Sequence, residues 1–157
     1  MNIKLFISDV DGTLTDGGMY YSESGEIMKK FNTRDAFGLR LLKENGIELA
    51  LISGEDSPIV RSRASKLNID KVYLGISDKL SIVKQICLDM NINLINVAYI
   101  GDDLNDLEPI EHVGLPFAVG DAEDAIKNQA DIITTKNGGY GAVREASNYI
   151  LSKIQTP

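Results

Sequence analysis

Near its start the chain reads Phe6-Ile7-Ser8-Asp9-Val10-Asp11-Gly12-Thr13-Leu14-Thr15, an apolar run that ends in two carboxylates. A strand that stops in Asp-x-Asp-Gly-Thr places acidic oxygens at its carboxyl end, where open α/β sheets build their sites. Two carboxylates held this close repel each other unless a cation such as Mg²⁺ lies with them. The segment therefore predicts a reactive acidic site, with Asp9 and Asp11 as its carboxylates.

Downstream of this segment, apolar runs alternate with helix-period segments, which is typical of a parallel α/β sheet. The predicted strands are 3–8, 48–52, 71–74, 96–100, 115–119 and 131–134. In the C-terminal third of the chain, helices are predicted over about 104–110, 122–128 and 140–154. We therefore expect a Rossmann-like parallel sheet flanked by helices.

Three earlier helices are predicted from their apolar faces and their first residues. Phe37, Leu41 and Leu42 are expected to line the buried face of the first helix. Ser57, followed by proline, reads as the N-cap of the second helix, and Asp78 opens the third.

The segment 17–31 interrupts the alternation of strands and helices. Its two tyrosines, Tyr20 and Tyr21, are followed by a Ser-Gly turn and a second apolar run, which predicts a β-hairpin. A hairpin flap over about 17–32, directly after the first strand, is well placed to overhang the acidic site. No linker or repeat is visible, so we expect one domain over 1–157 with no large cap domain.

Composition excludes several classes of partner. The 157 residues carry 16 basic and 23 acidic side chains, a net charge of −7 that argues against nucleic acid as a partner. Apolar runs are too short to span a bilayer, and Asp9 and Asp11 interrupt any signal-peptide pattern, so no membrane is expected. The single cysteine, Cys87, permits no internal disulfide and is consistent with a reducing cytoplasm.

Four features fall at predicted strand ends or helix starts, so parallel strands would bring them to one edge of the sheet. They are Asp9-x-Asp11, Ser53-Gly54, Ser77-Asp78-Lys79 and Gly101-Asp102-Asp103-Leu104-Asn105-Asp106. Together they offer a nucleophile, a proton carrier, a hydroxyl donor, a cation and metal ligands. This combination favours phosphoryl transfer through an aspartyl-phosphate.

The four motifs, in this order and spacing, resemble the haloacid dehalogenase-like phosphohydrolase superfamily over about residues 4–145. The resemblance implies that Asp9 is the nucleophile and Asp11 the general acid and base. It implies that Ser53 binds the transferring phosphoryl group and that Lys79 neutralises charge around it.

The same resemblance implies Mg²⁺ as the cofactor. Its ligands would be Asp102, the Asp9 side chain and the backbone carbonyl of Asp11. Asp103 and Asp106 would support this metal shell.

A finer resemblance is to the small, capless branch that dephosphorylates 3-deoxy-D-manno-octulosonate 8-phosphate and related nine-carbon ulosonate 9-phosphates. It depends on Asp16-Gly17-Gly18 with the hairpin, on 31–38 and on 138–145. Members of that branch are typically tetramers in which neighbouring subunits complete each site, and the resemblance implies a homotetramer here.

A phosphorylated sugar acid also needs a cation or a backbone nest for its carboxylate. The expected substrate-binding residues are Gly54, Glu55, Arg63, Lys66, Thr33 and Arg34, with Arg61 as a weaker candidate. Glu55 stands where octulosonate-specific relatives more often have arginine, so that Glu55 with Arg63 and Lys66 resembles the nonulosonate phosphatases. Eight and nine carbons both stay open.

Other functions also stay open. The alternative hypotheses are a phosphatase of another small phosphorylated metabolite, a phospho-accepting receiver, and a regulatory subunit without catalytic activity. A receiver usually places its accepting Asp after the third strand, whereas here that region reads Val72-Tyr73-Leu74-Gly75. The last two functions predict no multiple turnover of a phosphate ester.

Overall fold

The computed structural model describes residues 2–154. The strands are β1 (Leu5–Ser8), β2 (Tyr20–Ser22), β3 (Gly25–Met28), β4 (Glu48–Ile52), β5 (Lys71–Tyr73), β6 (Val97–Gly101), β7 (Leu115–Ala118) and β8 (Ile132–Ile133). The helices are α1 (Thr33–Glu44), α2 (Pro58–Lys66), α3 (Lys79–Met90), α4 (Leu107–His112), α5 (Asp124–Gln129) and α6 (Ala142–Ile154). Residues 1 and 155–157, which the predicted domain includes, lie outside the described residues.

Six of the strands form one parallel sheet in the order β5-β4-β1-β6-β7-β8. The central strand β1 is buried along its whole length, as expected for a strand covered on both faces. Ser8 at its end lies level with Leu51 of β4 and Ile100 of β6. The carboxyl ends of the three strands therefore meet at one edge, and the predicted parallel sheet flanked by helices is confirmed.

The prediction that Phe37 lies on the buried face of α1 is wrong, because this residue is 42% exposed. The buried residues are Asp35, Gly38, Leu39 and Leu42. Gly38 allows α6 to pack closely, since a Cβ there would lie 3.0 Å from the Cα of Arg144. Successive helical residues are 100° apart, so turning Gly38 toward α6 leaves Phe37 at the surface.

The predicted hairpin is confirmed as a separate antiparallel pair, β2 and β3. A bridge between Thr15 and Phe31 closes its base. Ser57 precedes α2 as predicted, but its side chain makes no capping bond to the helix. Its hydroxyl donates instead to Glu26 Oε1 of the hairpin, at 3.1 Å. The hairpin is thus attached to the main sheet domain at both its base and its side.

The segment expected as a helix over 104–110 is a 3₁₀ turn, Leu104–Asp106, followed by α4. The turn forms because the side chains of Asp103 and Asp106 accept hydrogen bonds from backbone amides at its start, in a capping box. No helix within residues 2–154 is both long and apolar enough to cross a membrane.

Candidate active site

A cavity of about 500 Å³ opens at the carboxyl edge of the sheet. It is lined by Asp9, Asp11, Met19, Ser53, Gly54, Glu55, Asp102, Asp103 and Asn105. Three of the four predicted motifs therefore contribute directly to one cavity. The fourth contributes through Lys79, which lies beneath Asp9.

Lys79, the first residue of α3, connects two buried carboxylates. Its Nζ donates to Asp9 Oδ1 and to Asp106 Oδ1, both at 2.7 Å. The hydroxyl of Tyr99 on β6 donates to the same oxygen of Asp106, at 2.6 Å. Side chains of Lys79 and Asp106 are fully buried, and Asp9 is only 5% exposed. Such groups are stable in the interior only as a paired, hydrogen-bonded set.

Asp9, Asp106 and Lys79 form a buried cluster that carries more negative than positive charge. Burial and the nearby Asp106 raise the pKa of Asp9 well above its usual range, although Lys79 opposes them. Burial, with Asp106 again, raises the pKa of Asp102 to about 6. For Lys79, burial lowers the pKa, but the charges of Asp9 and Asp106 outweigh it, so the net shift is upward. A cation bound beside Asp9 and Asp102 would therefore favour their ionised forms.

Oxygens of Asp9, Asp102 and Asp106 lie within 4.8 Å of one another, a spacing suited to a metal ion. Asp106 is already engaged: Oδ1 accepts from Lys79 and Tyr99, and Oδ2 accepts from the amide of Asp102 at 3.0 Å. This leaves Asp9 and Asp102 as the side chains that would hold a cation. Carboxylate oxygens are the ligands that Mg²⁺ prefers, so the donor set fits that ion.

Gly12 brings the Asp-x-Asp turn close to the loop after β6. Its φ of +86° is one that side-chain-bearing residues avoid, and a Cβ there would overlap the Asp102 carboxylate. Beneath the turn, a Cβ on Gly138 would overlap the carbonyl of Gly12, and the amide of Gly139 donates to Thr13 O at 3.0 Å. Gly138 and Gly139, in the predicted segment 138–145, therefore pack closely against the Asp-x-Asp turn and stabilise it.

Ser53 follows β4 directly and is buried, with 1% of its surface exposed. Its Oγ accepts a hydrogen bond from the amide of Glu55 at 3.2 Å, which fixes the Ser53-Gly54-Glu55 turn. Ser53 lines the same cavity as Asp9, and its hydroxyl retains a hydrogen to donate.

Lys29 is a functional candidate that sequence reasoning missed. Its Nζ donates to Asp11 Oδ1 at 2.6 Å and pairs with Glu26 Oε2 at 2.9 Å. The side chain is fully buried, whereas that of its neighbour Lys30 is 43% exposed. The sequence offers no signal for which of two adjacent lysines turns inward. Met19 and Tyr99 were also missed, because only the tertiary structure brings them to the site, whereas Asn105 stands inside a predicted motif but was not singled out.

The structure does not bring the other predicted substrate-binding residues into the cavity of their own chain. Within residues 2–154, Thr33 and Lys66 line a separate cavity of about 270 Å³ between α1 and α2. Arg34 lines a third cavity beside α6. The guanidinium of Arg63 lies over the ring of Phe31, at 5.3 Å, and Arg61 pairs with Asp56 at the surface. Helices α1 and α2 turn these side chains away from the sheet edge, so only Gly54 and Glu55 reach the cavity.

Comparison with known proteins places this geometry in a family. Residues 72–146 match the family model of the haloacid dehalogenase-like hydrolases. The chain is 41% identical over 150 residues to the 3-deoxy-D-manno-octulosonate 8-phosphate phosphatase of Haemophilus influenzae, covering 96% of this chain and 83% of the relative. Identity to the enzyme of the same name from Escherichia coli K12 is 43%, over 96% and 80% of the two chains.

Solved structures agree. The cobalt-bound form of the Haemophilus influenzae phosphatase superposes with a TM-score of 0.93 at 41% identity, covering 96% of this chain and 88% of that one. The Moraxella catarrhalis enzyme, solved with magnesium, phosphate and KDO, also gives 0.93, at 42% identity over 96% and 86%. The chain therefore belongs to the haloacid dehalogenase-like hydrolase family, as a phosphatase in which residues 2–154 include no large cap domain.

Proposed function

We propose that the protein is a magnesium-dependent phosphatase that removes the terminal phosphate of a phosphorylated 3-deoxy-2-ulosonic acid. The observation that carries the reaction is the cavity in which Asp9, held by Lys79 at 2.7 Å, faces Ser53 and Asp102. The sugar-acid class is supported by the names of the relatives, which act on 3-deoxy-D-manno-octulosonate 8-phosphate.

In the proposed reaction, the Asp9 carboxylate attacks phosphorus and the bond to the sugar oxygen breaks, giving an aspartyl-phosphate. Asp11 donates a proton to the leaving alkoxide. Water then attacks the phosphorus while Asp11 accepts its proton, which releases inorganic phosphate and free Asp9. The hydroxyl of Ser53 and the ammonium of Lys79 stabilise the negative charge of the phosphoryl oxygens.

Mg²⁺ would be held by the side chains of Asp9 and Asp102 and by the backbone carbonyl of Asp11, with Asp103 and Asp106 as support. When bound, the ion offsets the negative charge shared by the nucleophile and the phosphoryl group. Asp106 keeps Lys79 and the amide of Asp102 in place, at 2.7 and 3.0 Å.

The presence of Glu55, where octulosonate-specific relatives more often have arginine, favours a nine-carbon sugar acid over an eight-carbon one. Glu55 lines the cavity and is exposed, so it is free to accept hydrogen bonds from sugar hydroxyls. In the proposed assembly, Arg63 and Lys66 of a neighbouring subunit complete the site and supply a cation for the sugar carboxylate, with Thr33 and Arg34 nearby. Octulosonate 8-phosphate and the nonulosonate 9-phosphates thus remain competing substrates.

A turnover panel tests the substrate class. We expect purified protein with Mg²⁺ to hydrolyse octulosonate 8-phosphate or a nonulosonate 9-phosphate at least tenfold better in kcat/KM than glucose 6-phosphate, about 1.4 kcal/mol of transition-state discrimination. Chelation of the metal should remove the activity, and returning Mg²⁺ should restore it. Equal turnover of all esters would contradict the sugar-acid assignment and indicate another small phosphorylated metabolite.

The hairpin supports assembly into a homotetramer. Tyr20, Tyr21 and Ile27 are 48%, 66% and 57% exposed, which is unusual for large apolar side chains grouped on one flap. We expect light scattering at micromolar concentration to give four times the chain mass of 17.2 kDa. A monomer would contradict the assembly and, with it, sites completed by a neighbour.

A further inference from the structure

We propose that Lys29 of the hairpin is a positioning residue for the proton-transfer step, holding the Asp11 carboxylate in one orientation at the edge of the cavity. The inference rests on the proposed function, since it assigns Asp11 the proton transfer. It adds a residue outside the four motifs.

The first observation is the burial of Lys29. Its side chain has no exposed surface, and its two partners, Asp11 and Glu26, are 20% and 17% exposed. Burying an ammonium is costly unless it is paired on more than one side. A lysine whose role was only to cover the hairpin would keep its charge in water, as Lys30 does with 43% of its side chain exposed.

The second observation is the unequal use of the two oxygens of Asp11. Oδ1 accepts the 2.6 Å hydrogen bond from Lys29, whereas Oδ2 is buried and has no hydrogen-bond partner within residues 2–154. A single short, charge-assisted bond fixes the carboxylate rotamer. Asp11 lines the cavity with 20% of its side chain exposed, so the bond from Lys29 sets the orientation in which the carboxylate meets the leaving alcohol or the attacking water.

The third observation is that Lys29 is itself held from outside. Glu26 pairs with Lys29 through Oε2 at 2.9 Å and accepts from Ser57 through Oε1 at 3.1 Å. Ser57 directly precedes α2, so the chain Asp11–Lys29–Glu26–Ser57 connects the turn after β1 to the helix after β4. Lys29 does not line the cavity, so any effect on the reaction is exerted through Asp11.

The test compares esters with different leaving groups. An alkyl phosphate needs a proton on its leaving oxygen, whereas 4-nitrophenyl phosphate does not, and kcat/KM reports only steps up to leaving-group release. For Lys29→Met we expect a roughly 10- to 100-fold loss of kcat/KM with the sugar-acid phosphate that wild type hydrolyses better and less than a threefold loss with 4-nitrophenyl phosphate. Lys30→Met, the adjacent exposed lysine, is the matched control and should match wild type on both esters.

A double-mutant cycle supplies a second readout. If Lys29 acts through Asp11, Lys29→Met should cost little further activity on the alkyl ester in an Asp11→Asn background. Glu26→Gln removes one of the two charges that hold Lys29, so it should shift the ratio of the two esters in the same direction as Lys29→Met, by a smaller factor.

Equal losses on both esters would overturn the proposal, because they would mean that Lys29 supports the phosphoryl site or the fold in general. No loss on either ester would also overturn it. If Lys29→Met fails to give a cooperative melt, Lys29→Gln takes its place and the same ratio decides. Failure of the proposed function would give a different result from failure of the role of Lys29. Wild type would then hydrolyse neither the sugar-acid phosphate nor 4-nitrophenyl phosphate, or it would hydrolyse only 4-nitrophenyl phosphate and glucose 6-phosphate. In the latter case glucose 6-phosphate serves as the alkyl ester.

Discussion

Replacement of Asp9 with asparagine is expected to abolish turnover, with kcat lower by on the order of 10⁴-fold or more. An amide cannot attack phosphorus and form the aspartyl-phosphate, so the first step of the reaction is lost. Steady-state release of inorganic phosphate with Mg²⁺ is the measurement. Asp131→Asn, a substitution of the same kind at an exposed position, is the control.

Loss of activity in this variant should not come with loss of stability. Because burial and Asp106 raise the pKa of Asp9 in the folded protein, its charged form is disfavoured by folding even with Lys79 beside it. A carboxyl whose folded pKa is raised lowers stability as pH rises above its unfolded pKa, until the folded pKa is passed. At pH 7.5 without metal, the free energy of unfolding of Asp9→Asn should therefore equal or exceed that of wild type.

Urea unfolding in the presence of a chelator measures this free energy. Unchanged activity in a folded Asp9→Asn protein would contradict the aspartyl-phosphate mechanism. A variant that is inactive and also much less stable would contradict the electrostatic account of the cluster, because it would show that the charged Asp9 is a net stabilising group.

Replacement of Lys79 with methionine is expected to have the second-largest effect, on stability and on activity together. Lys79 is the cation shared by Asp9 and Asp106, at 2.7 Å from each and with no exposed surface. Removing one partner from a buried ion cluster costs about 3–5 kcal/mol, because the remaining charges are left uncompensated. Methionine has a similar length, so the loss would come from charge rather than from a cavity.

Activity of the folded fraction of Lys79→Met should fall roughly 10²- to 10³-fold, since a charge-stabilising group at the phosphoryl site is removed. Lys84→Met, on the exposed face of the same helix, is the matched control and should be close to wild type in both respects. A Lys79→Met protein as stable as the control would show that Asp9 and Asp106 do not need the ammonium. Stability is measured by urea unfolding, and activity is measured as kcat/KM with the ester that wild type hydrolyses best.

Much of the fold could be predicted because the strands of a parallel sheet are short apolar runs bounded by turn residues. The buried strand β1 and the hairpin, with its two tyrosines and Ser-Gly turn, both carry strong local patterns. The error at Phe37 arose because helical periodicity identifies an apolar face but not the neighbour that will cover it. Here the close approach of α6 at Gly38 turned a different face of α1 inward.

The sequence by itself identified the side chains that meet in the candidate active site. Asp9, Asp11, Ser53, Lys79 and Asp102 stand at strand ends or a helix start, and parallel pairing must bring such positions to one edge of the sheet. Only the tertiary structure decided which side chains reach that edge from elsewhere. It placed Lys29 against Asp11 while Lys30 stayed in solvent, and it turned Thr33, Arg34, Arg63 and Lys66 away from the cavity. The reason is physical: local pattern fixes where a strand ends, whereas the direction of a long side chain depends on partners that are distant in the chain and meet only when it folds.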